Sequence, residues 1–534
     1  LTADGIGLLA NGSTYYGNST LNVKNSVLAN VTMLVGSAVS LSGSYNGFCN
    51  SPLFGSPTFS VGSNPFLTVG AGAHYLGTLS PFWNKGTGSI DAALAADLKQ
   101  RTVDPPKVLT ASFTQDTILA GYAQRDTDTP DLGYHYEPLD FCWTGLSLNN
   151  ATLTLTNGVA VGLHGAVGLQ LQAGAKLLSQ GSPQALNRII RPVLVQEQYT
   201  GTWLATPSSM ALLKVSGAYS PRPEVRMRFT EMVIPSANSE QQRWLNCNQS
   251  PSTQPTYPLG VIALTDCQLW GTWLSLYPGW SGMSVTLTNN LLHGNSLYLD
   301  QKRYYGTATF SLSMYNNLFS GGIFSCHYSD PSVAWTIRDN FFDRTAIGAA
   351  GTYNTVNSNN GYHLATALPG GTANRTVTVT PSYESGTLGQ FYYPATGAAG
   401  TITYELVDRG SRTASAARLV HHTTKTAYSS KDTLNVDIGF HYAATTSNKI
   451  PTDGDGDGLA DWIEDVNGDG STTGETFRFN NADSDGDGLG DLQEYELQWN
   501  VLVNDPAQDY GTPQNSQWQP KVVALGDTVV VGYW

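Results

Sequence analysis

Five short segments between Leu264 and Tyr362 carry one pattern. They read LTDCQLWG (Leu264–Gly271), LTNNLLHG (Leu287–Gly294), MYNNLFSG (Met314–Gly321), IRDNFFD (Ile337–Asp343) and VNSNNGY (Val356–Tyr362). Each is a short alternating strand, then Asn or Asp, then a further short, mostly apolar stretch. The Asn/Asp positions are 23, 27, 23 and about 20 residues apart. That period suits one coil of a parallel β-helix, in which two or three short strands are joined by tight bends. Asn suits such a bend, because it tolerates left-handed backbone angles and hydrogen-bonds its own main chain. Stacked coils would stack these Asn side chains into a hydrogen-bonded ladder, as in other in-register parallel sheets. Val, Leu, Ile and Phe at alternate positions would fill the interior. A β-sandwich or propeller would show turns every 8–12 residues or blades of about 40, and neither matches this spacing.

Looser strands of the same kind occur at Leu21–Asn30, Val35–Asn46, Ala151–Gly158 and Val167–Gly174. A larger repeat spans the chain: DLGYHY (Asp131–Tyr136) recurs as DIGFHY (Asp437–Tyr442). Each copy comes after a stretch without the coil pattern and reads as the closing segment of a module. Residues 1–142 are then the C-terminal part of a first coil module, and 145–442 a second with its capping region. His135 and His441 lie between aromatic residues, with no second His or Cys at ligand spacing. They read as packed, hydrogen-bonded histidines of a module cap, and His421-His422 carries no sharper signal.

Charge is concentrated in one place. The net charge is −14, yet Asp453–Asp509 alone holds twelve Asp and four Glu against one basic residue, Arg478, so the rest of the chain is close to neutral. A neutral body lacks the basic face that a nucleic acid requires. No apolar run is long enough to cross a membrane. The chain begins at Leu1 without a Met and ends in a strand-like run, which reads as processing or truncation at both ends. The five cysteines, Cys49, Cys142, Cys247, Cys267 and Cys326, form neither CxxC nor zinc-type spacing. Cys247 and Cys267 are close enough to be bridged on neighbouring coils; buried free thiols are the other reading.

Carboxylates packed this densely repel, so the acidic stretch is either a swollen linker or a cation site. Asp453, Asp455 and Asp457, then Gly458, Leu459, Asp461 and Glu464, fit D-x-D-x-D-G-x5-E. This is calcium-loop spacing: alternate carboxylates point inward, Gly permits the turn, Leu459 offers its carbonyl and Glu464 closes the site bidentately. Asp483, Asp485, Asp487, Leu489, Asp491 and Glu494 repeat it in full, and a solvated linker explains neither the Gly nor the closing Glu. A partial third copy, Asp465, Asn467, Asp469 and Glu475, lies between, its Glu one place early. LADWIEDV (Leu459–Val466) and LGDLQEYELQW (Leu489–Trp499) can be exiting helices with Trp462 and Leu492 inward, but entering helices are missing, so an EF-hand is not expected.

The stretch Asp465–Asp491 (DVNGDGSTTGETFRFNNADSDGDGLGD) resembles the thrombospondin type 3-like and dockerin-like calcium repeats of large secreted bacterial proteins. It departs from them at Ser471–Thr473, where another Asp is usual. Residues 1–442, and above all Arg125–Trp143 (RDTDTPDLGYHYEPLDFCW), look like the tandem right-handed β-helix modules of such proteins, a resemblance that carries no established activity. The terminal VVVGYW resembles the first strand of a concanavalin-like jelly roll. The expected architecture is all-β: right-handed parallel β-helix modules, a calcium-binding segment over 443–510, and the start of a further β domain or a linker over 511–534. The cofactor is Ca²⁺, with two full sites and a partial third. Extracellular calcium is millimolar, so sites with Kd of about 10⁻⁴–10⁻³ M suffice outside the cell.

Two functions compete on such a fold. The first is an extracellular structural protein of a bacterial surface: a β-helical rod with a calcium-stiffened connector, self-associating into a fibre, sheath or layer. The second is a surface protein that binds or cleaves polysaccharide. Cleavage needs a carboxylate pair, or acids with a basic residue, on one coil face. Asp266, Asp300, Lys302, Arg303, Asp330, Arg338, Asp339, Asp343 and Arg344 are the candidates, the stretch Asp300–Tyr305 the best of them. Asp339 and Arg338 occupy a bend and read as structural. Trp270, Trp273 and Trp280 could stack on sugars. The first function is the expectation, without catalytic residues.

Overall fold

The computed structural model describes the chain apart from residues 197–209, 216, 218, 235–241, 247–258, 272, 277–281, 301–309, 328–334, 351–354, 428–430, 433, 447–449, 498–520, 526–527 and 533–534. Two units divide it: Leu1–Ile337 with Phe342–Asn357 and Leu364–Gly370, and Gly371–Trp534 with Arg338–Phe341 and Ser358–His363.

The first unit is all-β and solenoid-like, built on long parallel sheets. One sheet takes a single strand from each turn of the chain, among them Glu224–Arg228, Val261–Thr265, Met283–Thr288 and Phe310–Tyr315. The other takes two, such as Gln268–Trp270 with Trp273–Leu276, then Leu291–His293 with Ser296–Asp300. Alternation in the sequence sets which side is inside: Met283–Thr288 is buried at every second residue. Parallel register then stacks like on like. Val225, Ile262, Val285 and Leu312 form one buried column, and Met227, Leu264, Leu287 and Met314 a second. Each such side chain contributes about 1.5–3 kcal/mol of burial.

The bends lie where the Asn/Asp spacing puts them. Asp266, Asn289 and Asn316, with Asp339 and Asn359 of the second unit, all have φ between 53° and 62°. The residue after each bend turns inward. Asn290 and Asn317 are fully buried, and Asn317 Oδ1 accepts from Asn290 N at 3.0 Å and from Asn290 Nδ2 at 2.9 Å. Asn290 Oδ1 in turn accepts from Cys267 N at 3.0 Å. In the second unit Asn360 Oδ1 accepts likewise from Asn340 N and Nδ2, at 3.0 and 3.1 Å. The same device serves the first residues of the chain. There Thr2–Asp4, Val27–Ala29, Asn46–Cys49 and Thr58–Val61 form a parallel sheet, and buried Asn46 takes the amide of Ser26 on its Oδ1 at 3.1 Å. The looser strands settle at Ser19–Lys24, Val39–Ser44, Thr152–Leu155 and Ala160–Leu171.

Cys49, Cys142, Cys267 and Cys326 are free and buried, and burial pushes the thiols of Cys142, Cys267 and Cys326 up to about 12, so they act as small apolar side chains. Cys247 lies outside the described residues.

Asp131–Tyr136 in the first unit and Asp437–Tyr442 in the second are built alike. Gly133 and Gly439 have φ of 105° and 108°, and their amides donate at 2.9 Å to the carbonyls of the bend residues Asn25 and Asp339. No side chain fits there: a Cβ on Gly439 would stand 2.3 Å from Tyr393 Oη. Tyr136 stacks on Tyr75 at 4.1 Å and meets Tyr134 edge-on at 4.9 Å; Tyr442 stacks on Tyr392 at 4.2 Å and meets Phe440 edge-on at 4.8 Å. The second unit also holds the acidic segment and an antiparallel strand pair, Lys521–Leu525 with Thr528–Gly532.

Candidate metal centre

The two full acidic motifs fold into the same loop. Asp453 takes the amides of Gly456 and Gly458 on its two oxygens at 2.7 and 2.9 Å; Asp483 takes those of Gly486 and Gly488 at 2.8 and 2.9 Å. Asp455 Oδ1 accepts from Asp457 N, and Asp457 Oδ1 from Leu459 N; Asp485 and Asp487 do the same with Asp487 N and Leu489 N. Positive φ at Gly456, Gly458, Gly486 and Gly488 lets the chain curl around the carboxylates. In each loop the three Asp bring ligand oxygens within 4.8 Å of one another.

A short helix leaves each loop, Asp461–Glu464 and Asp491–Leu497, and carries the closing glutamate inward. No entering helix precedes the first loop among the described residues; Thr445 and Pro451 are bridged antiparallel instead. Leu459 and Phe477, with Ile463 and Leu492, form the small core beneath, and Leu492 N donates to Asp457 Oδ2 at 3.0 Å, joining the second helix to the first loop.

Whether this donor set suits a cation is decided by oxygens left over. Glu464 and Glu494 are fully buried, yet none of their four carboxylate oxygens has a hydrogen-bond partner. Asp455 Oδ2 and Asp485 Oδ2 are likewise buried and unpartnered. Burial, with Asp455 and Asp457 close by, pushes the Glu464 carboxyl up to about 9; burial, with Asp485 and Asp487, pushes Glu494 up to about 7. Buried, unpaired carboxylates are costly unless a positive charge joins them. The residues therefore fit a hard divalent cation held by Asp453, Asp455, Asp457 and Glu464, and a second held by Asp483, Asp485, Asp487 and Glu494.

Asp461 and Asp491 take a different place from the one the loop motif assigns them. Asp461 Oδ1 accepts from Gly454 N at 2.6 Å, and its Oδ2 faces Lys431 and His421. Asp491 Oδ1 accepts from Ser484 N at 2.7 Å and its Oδ2 from Ser484 Oγ. Both brace the loop backbone. Burial opposes ionisation of Asp461, yet His421 and Lys431 hold its carboxyl well below the usual range.

The partial loop differs from its neighbours. Asp465 Oδ2 accepts from Gly470 N at 2.6 Å and lies 2.8 Å from His421 Nε2. Asn467 Oδ1 accepts from Asp469 N, and Asp469 Oδ1 from Ser471 N. Glu475 is already satisfied, by Val466 N at 3.2 Å and by Asn467 Nδ2. Burial opposes a charge on His421, but Asp461 and Asp465 raise its affinity for a proton. Nothing in the residues around His421 or Lys431 marks them as partners of the acidic segment; only the fold brings them to it.

Three of the acids weighed for cleavage, Asp266, Asp339 and Asp343, are tied up in structure, whereas the side chain of Asp300 lies outside the described residues. Asp266 binds Arg228 Nε at 3.0 Å and Asn289 Nδ2 at 2.7 Å, and Asp339 takes the amide and hydroxyl of Ser411. Asp343 pairs bidentately with Arg344, and Trp273 stacks on Tyr298 at 4.6 Å. Trp280, Lys302, Arg303, Tyr305 and Asp330 lie outside the described residues. No helix of the described residues is long and apolar enough to cross a membrane. No family model, curated protein or solved structure matches this chain.

Proposed function

We propose that the chain is an extracellular structural protein, in which right-handed parallel β-helix modules supply a repetitive surface and a calcium-bound segment forms a stiff connector on their C-terminal side. The buried, unpartnered glutamates Glu464 and Glu494, each beside an Asp triplet, carry this reading. They make sense where a divalent ion is always present, and calcium outside cells is millimolar. The near-neutral coils favour lateral association into a fibre, sheath or surface layer over repulsion. Resemblance to large secreted bacterial repeat proteins points the same way.

Two measurements test it. Electron microscopy of the purified chain in millimolar calcium is expected to show ordered assemblies, and dispersed particles in both calcium and chelator would remove the assembly claim. Incubation with polyuronates, monitored by the ultraviolet absorbance of unsaturated ends, is expected to stay flat; turnover abolished by Lys302→Ala or Arg303→Ala would replace this function with a lyase.

The three loops set the ion count. Native mass spectrometry in calcium is expected to find two ions per chain, since the middle loop already satisfies its glutamate and has His421 beside it. Glu464→Gln and Glu494→Gln should each lose one ion, and Asp469→Asn none.

A further inference from the structure

Asp126, Asp131 and His135 bring a carboxylate oxygen each and a ring nitrogen within 4.8 Å of one another, and Asp432, Asp437 and His441 do the same in the second unit. All six are buried. The aspartates at 126 and 432 stand five places before the repeated D-[LI]-G-[YF]-H-Y, so the duplicated unit is D-x4-D-[LI]-G-[YF]-H-Y.

Hydrogen bonds fix the chemistry of each nest. His135 Nδ1 lies 3.3 Å from Gly133 O, and His441 Nδ1 lies 3.0 Å from Gly439 O. A carbonyl only accepts, so Nδ1 carries the proton and donates. The glycine shared by both copies, at φ of 105° and 108°, is what turns that carbonyl back onto the ring. Nε2 is then left facing a carboxylate: Asp126 Oδ2 at 2.7 Å, or Asp432 Oδ2 at 3.4 Å. Two acceptors face each other unless Nε2 takes a second proton or a cation lies with them. A histidine whose Nδ1–H is held by a backbone carbonyl and whose Nε2 points at carboxylates is the arrangement that orients a metal ligand.

Backbone amides aim the aspartates. Asp131 N donates to Asp126 Oδ2 at 2.9 Å and Asn84 N to Asp131 Oδ1 at 2.7 Å; Asp437 N donates to Asp432 Oδ2 at 2.8 Å and Asp408 N to Asp437 Oδ1 at 2.7 Å. Asp126 Oδ1 remains buried with no partner, although its side chain is 1% exposed. Charge gives the second reason. Two carboxylates and a protonated imidazole leave a buried net negative charge, whereas two carboxylates, a neutral imidazole and a divalent ion sum to zero.

We propose that each of these nests, Asp126/Asp131/His135 and Asp432/Asp437/His441, binds a first-row transition-metal dication such as Zn²⁺. Two oxygens and an imidazole suit zinc, whereas the all-oxygen loops of the acidic segment suit calcium. The ion locks each closing segment onto the bend residue its glycine touches.

The test uses the full chain in millimolar calcium, titrated with ZnCl₂, dialysed and analysed for metals. Two equivalents of zinc are expected beside the calcium already bound. Asp126→Asn and Asp432→Asn should each retain one, and the double variant none, with the calcium count unchanged in all three. Should a variant fail to fold, Co²⁺ added to the unaltered chain is expected to give visible d–d absorption that Zn²⁺ abolishes and excess Ca²⁺ leaves in place. Absence of zinc uptake by the unaltered chain, no cobalt spectrum, or full uptake by the folded double variant would each overturn the assignment. Calcium binding can fail or succeed independently, so the two readings stay distinguishable.

Discussion

Adding EGTA to the intact chain is expected to abolish amide protection across Asp453–Leu497 while leaving the coils from Val261 to Asp343 as protected as before. The reason lies in the loop hydrogen bonds. The amides of Gly456, Gly458, Leu459, Gly486, Gly488 and Leu489 donate to aspartate oxygens that share each site, so their protection depends on those aspartates staying together. Ligand oxygens within 4.8 Å repel once the ion is gone. Against this stands only a small core, Leu459 and Phe477 with Ile463 and Leu492. Calcium at ten to a hundred times Kd contributes about 1.4–2.7 kcal/mol per site. Losing two sites should therefore speed exchange of these amides by roughly 10²–10⁴-fold. Hydrogen exchange read by mass spectrometry checks it, and protection that survives EGTA would remove calcium from the account of this segment.

Some of these features are readable in the sequence because their cause is local. A bend needs left-handed angles at one residue, and Asn or Asp supplies them, so Asp266, Asn289, Asn316, Asp339 and Asn359 announce the coils and the 23- and 27-residue offsets between them. The loop aspartates are local too: each binds amides two to five residues on. What stays hidden depends on contacts distant in sequence. His421 reaches Asp465 across 44 residues, and no pattern near His421 marks it. Asp461 fills the ninth loop position, yet Gly454, Lys431 and His421 occupy its oxygens. Within each Asn-Asn pair the spacing does not say which residue turns and which binds the next coil; both are buried, and the structure gives the left-handed bend to Asn316 and the bonds to Asn290 to Asn317. His135 and His441 are buried and hydrogen-bonded, as their aromatic flanks imply, but the aspartates nine places earlier that face them carry no ligand spacing.

The second column residue should be costly to remove, and Asn317→Ala is expected to destabilise the coil stack strongly. Asn317 is fully buried and its amide is used throughout. Nδ2 donates to Leu287 O at 2.8 Å and Tyr315 O at 3.1 Å, while Oδ1 accepts from Asn290 N and Asn290 Nδ2. Alanine leaves a buried N–H on Asn290 and two carbonyls without those partners, each costing about 1–3 kcal/mol, the donor most. The loss should come to about 4 kcal/mol. The stack is quasi-one-dimensional, so the damage should centre on the coils joined at Asn290 and Asn317 and weaken with distance. Urea unfolding monitored by coil fluorescence, with exchange mapped onto Met283–Ser320, measures both. A loss at Asn317 of about 1 kcal/mol or less, the worth of one ordinary hydrogen bond, would mean that the Asn column fills space without holding the coils in register.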